Sequence, residues 1–76
     1  MERVDVQRMA DSVLRDYGVP LKVSRISLAA AGWTIAFDSF YPGRPGKQVD
    51  LRCDRNSAHH VRESLKRSLS VTDADY

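Results

Sequence analysis

Arg55, His59, Arg62 and Lys66 recur at steps of three or four within DRNSAHHVRESLKRSLS, residues 54 to 70, a stretch that reads as a single helix. At about 100° per residue these four side chains fall within about 60° of one another. Cations aligned in this way can track a nucleic-acid backbone, because lysine and arginine neutralise phosphates and release condensed counterions, while a histidine adds a donor or a partial charge. A solvated helix face has the same appearance, here supported by Glu63 and Arg67 four residues apart. Both readings stay open at this stage.

In FYPGRPGK, residues 40 to 47, Arg44 and Lys47 flank the second Pro-Gly pair, and Phe40 and Tyr41 stand just before the first. That loop can supply phosphate contacts next to a stacking platform for an unpaired base. Alternatively, the aromatics close the sheet edge against a helix end. Arg52 leads from the preceding strand into the helix. The nucleic-acid-binding candidates are therefore Arg44, Lys47, Arg52, Arg55, His59, Arg62 and Lys66. Lys22 extends this set on the open sheet face, where Asp38 and Asp50 partly cancel it.

Cys53, Asp54, His59 and His60 are all of metal-ligating type. Their spacing argues against a shared ion, since adjacent helical residues point about 100° apart and no paired-cysteine or paired-histidine zinc spacing is present. A nucleophilic role for Cys53 with a histidine base is opposed by its parity with Val49 and Leu51, which aims it into the core. No carboxylate pair, phosphate-cradling glycine loop or serine nucleophile context appears. The expectation is a protein that is not an enzyme, with no metal, no cofactor and no small-molecule ligand.

The elements that must position these residues are legible in the hydrophobic pattern. Val6, Met9, Ala10, Val13, Leu14 and Tyr17 form one stripe, so residues 3 to 17 predict a helix that Gly18 and Pro20 end. LKVSRISLAAAGWTIAFDSF reads as two strands with a reversal at AAAG. Leu21 and Val23 lie on one parity and Ile26 and Leu28 on the other, which predicts a bulge near Ser24 and Arg25. KQVDLRC is a third strand with Val49, Leu51 and Cys53 on one face. Asp54, Asn56 or Ser57 can cap the last helix, whose apolar stripe is Ala58, Val61, Leu65 and Leu69.

These elements predict an α+β fold of order α-β-β-β-α, a three-stranded antiparallel sheet with both helices on one face. Residues 1–70 are expected to form a single domain and residues 71–76 a flexible C-terminal tail. The order resembles that of double-stranded-RNA-binding domains and of small toxins built on the same scaffold. That family carries a lysine-rich cluster at the opening of its last helix, where this sequence has DRNSAHHVRES, and the toxins carry a glycine-serine-histidine turn that is absent here. The resemblance implies topology alone and transfers no functional residue.

Seventy-six residues with 42% hydrophobic and 29% charged side chains describe a small globular chain with a thin core. A lone cysteine, no apolar leader and no run of about 18 apolar residues predict a reduced, cytoplasmic protein without a membrane segment. Net charge is +2, yet residues 44–67 hold Arg44, Lys47, Arg52, Arg55, Arg62, Lys66 and Arg67 against Asp50, Asp54 and Glu63. The leading expectation is a non-enzymatic domain that binds DNA or RNA, or regulates, through the basic helix and the Pro-Gly turn. The rival is a protein interaction module or homodimer whose basic face is only solvated. On either reading, replacing Arg55, Arg62 and Lys66 together is expected to leave the fold intact.

Overall fold

The computed structural model describes residues 1–54 and 56–71; Arg55 and most of the expected tail lie outside the described residues. The element order is α1 (Arg3–Asp16), β1 (Leu21–Ala29), β2 (Gly32–Ser39), β3 (Lys47–Arg52) and α2 (Ala58–Ser68), the α-β-β-β-α arrangement that the sequence predicts. No helix among the described residues is long and apolar enough to cross a membrane.

α1 forms because Val6, Ala10, Val13 and Leu14 share a stripe that is buried. Its start is fixed by Asp5, whose carboxylate accepts the Glu2 N–H at 2.8 Å. Its end is a Schellman motif: Gly18 takes φ 64°, its N–H donates to Arg15 O, and the Val19 N–H donates to Leu14 O.

The sheet is antiparallel in the order β1-β2-β3, so β2 is central. The register shifts between Val23 and Arg25, where the parity change predicts it. One extra residue at Ser24 lets Val23 face Phe37 and Ile26 face Ile35 on the same side, instead of sending half of β1 to solvent. Trp33, Ile35 and Phe37 of β2 join Val49 and Leu51 of β3 in the core, with α1 packed over β1 and α2 over β3. The two helices run in the same direction. Their first ends meet where the Met1 ammonium donates to Asn56 Oδ1 at 3.2 Å, and their last turns meet where Lys66 lies over the Tyr17 ring.

α2 is shorter than the 54–70 stretch. Ser57 is the cap that the chain uses, its hydroxyl accepting the His60 N–H at 3.3 Å, so Asp54 and Asn56 precede the helix. Ala58 is exposed rather than part of the inner stripe, which consists of Val61, Leu65 and Lys66 with Leu69 partly buried. Val71, expected to begin the tail, packs against the core, and its N–H donates to Lys66 O at 3.0 Å.

That bond completes a second Schellman motif in which Ser70 occupies the left-handed position, at φ 58°, with its N–H on Arg67 O. A side chain is strained there and glycine is not. Ser70→Gly is expected to stabilise the fold by about 0.5 to 1 kcal/mol, read as a rise in the urea midpoint at unchanged slope.

Candidate functional site

The fold divides the basic candidates between two ends of the molecule. Arg52 lies on the open sheet face opposite Gly32, at the end where β3 leads to α2. His59 is exposed in the first turn of α2, its ring 5.8 Å from that of His60. Arg55 falls outside the described residues. Lys47 begins β3 at the opposite end, with Arg44 in the loop before it.

The helix ridge itself is taken apart by α1. Lys66 is only 8% exposed; its ammonium sits 5.4 Å from the Tyr17 ring centroid and 3.5 Å from Glu63 Oε2. A lysine can occupy that place because its aliphatic stem packs between the helices while its head finds a π-face and a carboxylate. One turn earlier, Arg62 is half-buried with Nη2 3.9 Å from Asp16 Oδ2. Glu63 is paired with Lys66, three residues on, rather than with Arg67. The row at 62 and 66 is therefore part of the interhelical seam, and replacing Lys66 carries a structural cost that the sequence does not reveal. Lys66→Ala is expected to lose about 1 to 3 kcal/mol, against at most about 0.5 for exposed Arg67→Ala, both measurable by urea denaturation.

Lys47 is also diverted. It pairs with Phe37 across the ladder, which puts its side chain on the helix-covered face, and its Nζ donates to Ser68 O at 3.1 Å. A cation there meets the carbonyl end of α2 and its dipole.

What stays open is the loop. Phe40 is 61% exposed and Tyr41 56%, so neither closes a sheet edge. The Arg44 guanidinium lies 5.9 Å from the Tyr41 ring centroid, a cation-π contact on the surface. The loop is anchored by the Phe40 N–H on Pro20 O at 3.2 Å and the Tyr41 N–H on Ser39 Oγ at 3.0 Å. Exposed Arg15, at the end of α1, and exposed Lys22, at the start of β1, border Phe40. Arg67 stands exposed in the last turn of α2 at this same end. Among the described residues, Asp11, Asp16 and Asp38 are exposed acids nearby, Asp38 directly across the ladder from Lys22. Arg15 and Arg67 escaped the sequence reading because they belong to separate helices that only the tertiary fold brings to one end.

Cys53 is half-buried against the core, as its parity implies. Burial raises its thiol pKa and the adjacent Asp54 carboxylate raises it further, with a Ser64 hydrogen bond opposing both. The thiol is therefore protonated at neutral pH, the opposite of an activated nucleophile.

Compared with protein-family models, with curated proteins and with solved structures, the chain matches none.

Proposed function

We propose that this chain is a small cytoplasmic nucleic-acid-binding module that performs no chemistry on its ligand, and that its contact surface is the loop end of the fold. The observation that carries this reading is the pair of exposed aromatics, Phe40 and Tyr41, with Arg44 against the Tyr41 ring. Exposed aromatic faces beside guanidinium groups suit stacked bases and backbone phosphates together, whereas a merely solvated turn gains nothing from two uncovered rings. Arg15, Lys22 and Arg67 supply further charge at the same end. Lys66 takes no part, because it is buried against the Tyr17 ring, and Arg62 is drawn toward Asp16 of α1.

Binding of this kind is salt-dependent. The test is a titration of labelled DNA and RNA with the full chain over a series of salt concentrations. Each phosphate contact contributes about 0.7 to 0.9 to the slope of log K against log salt, and Arg44→Ala is expected to remove about one contact. Absence of binding at low salt with micromolar protein overturns the reading.

A second reading, self-association, is favoured by the other end and by the sheet edge. β1 is a nine-residue edge strand, and Leu28 and Val4 are exposed where α1 begins. Light scattering behind size-exclusion chromatography decides it: a strictly monomeric chain at high concentration removes the homodimer.

A further inference from the structure

We infer that the groove between the end of α1 and the β2–β3 loop receives one unpaired nucleotide, its base against Phe40 and its phosphate on Arg15 and Lys22, which makes the ligand single-stranded nucleic acid. The inference rests on the reading above and adds the substrate class.

The groove has a volume of about 470 Å³, within the range of sites that hold small ligands. Its apolar wall is made by Leu14, Val19, Pro20 and Leu21, and Phe40 closes it from the loop side. Backbone amides of the wall are already engaged: Val19 N–H donates to Leu14 O, Leu21 N–H to Val19 O and Phe40 N–H to Pro20 O. It offers apolar side chains rather than a row of free amide donors. A π-face is the complement of such a surface.

Charge selects among aromatic ligands. Among the described residues, Arg15 and Lys22 line the groove with Asp11, one helical turn before Arg15, while Asp16 adjoins Arg15 and Asp38 lies directly across the ladder from Lys22. With Arg44 and Arg67 the described loop end holds four exposed cations against those three acids, and a base tethered to a phosphate satisfies the wall and the surrounding charge at once. The next residue, Tyr41, carries Arg44 on its ring and continues the same alternation of aromatic and cation. Two consecutive exposed rings fit two successive unstacked bases. A duplex keeps its bases inside the helix and cannot fill the groove without unpairing.

Fluorescence anisotropy with short labelled single strands and duplexes, at low salt, tests this on the full chain, on Phe40→Ala, on Phe40→Leu and on the double variant Arg15→Ala with Lys22→Ala. Circular dichroism confirms that each variant is folded, as expected for exposed positions. The expected result is tighter binding of single strands than of duplex. Both Phe40 variants should lose roughly five- to hundredfold in single-strand affinity, and the double variant should show a salt slope lower by about one. If single strands bind but all three variants stay within about twofold of the parent chain, the groove is overturned while the loop-end surface stands. If the parent chain binds neither strand form at low salt, both fall together.

Discussion

Gly32→Ala is expected to cost about 3 kcal/mol or more, a large share of what so small a domain has. Gly32 has φ 151°, a backbone conformation that L side chains rarely adopt, and a Cβ built there would overlap the Leu51 carbonyl oxygen on the neighbouring strand. The requirement comes from the β1–β2 turn. Ala30 and Ala31 both keep negative φ, so the reversal cannot use the two left-handed residues that tight hairpins favour, and the unusual torsion passes to Gly32. Gly32 also pairs with Arg52 in β3, and the Cys53 N–H donates to Ala31 O at 3.0 Å, so β3 cannot yield without loosening the last ladder rungs. A 76-residue chain has only about 4 to 11 kcal/mol of stability in total. Gly18→Ala is the control: φ is positive there too, but nothing lies within 4 Å of an added Cβ, so only the torsional cost of about 1 to 2 kcal/mol applies. Urea denaturation of the two variants beside the parent chain separates steric overlap from torsion, and equal losses would contradict the overlap.

The periodic parts of this fold were legible because periodicity records burial directly. Val6, Ala10, Val13 and Leu14 could share a face only on a helix, and the parity change after Val23 could be absorbed only by an extra residue. The limits of α2 were harder to see. Asp54, Asn56 and Ser57 all have capping side chains, and only Ser57 stands where its hydroxyl reaches an amide of the first turn. Ser70 gave no sign of a left-handed cap, because serine is an ordinary residue elsewhere and the motif is defined by hydrogen bonds to Arg67 and Lys66.

The candidate site was legible in part, for a different physical reason. A helical wheel places Arg62 and Lys66 on one arc but does not show which neighbour that arc meets. The neighbour is the end of α1, with Tyr17 and Asp16, and it turns a basic ridge into an interhelical contact. The loop aromatics are the converse case. Phe40 and Tyr41 gave two readings, packed or exposed, and the anchoring of the loop backbone to Pro20 and Ser39 leaves both rings uncovered. Chemistry read from residue type survives where the side chain has no tertiary neighbour to occupy it.

Trp33→Ala is expected to cost about 3 to 5 kcal/mol, whereas Leu28→Ala should fall within about 0.5 kcal/mol of the parent chain. The two residues are directly opposite in the β1–β2 ladder and point to the same face, so strand geometry alone would treat them alike. Their surroundings differ. Trp33 is on the central strand beside Leu51 and is 3% exposed, while Leu28 is on the edge strand and is 60% exposed. Truncating Trp33 removes the largest side chain of a thin core and leaves a cavity beside the start of α1, which cannot collapse without moving β2 between its two partners. Truncating Leu28 removes a side chain that is still largely in water. Far-UV circular dichroism during urea unfolding is the suitable measurement, because Trp33 is the only tryptophan and its fluorescence is lost with it. Comparable losses for the two variants would mean that Leu28 is covered in solution, the behaviour expected of a self-associating edge rather than of a monomer whose functional surface is the loop end.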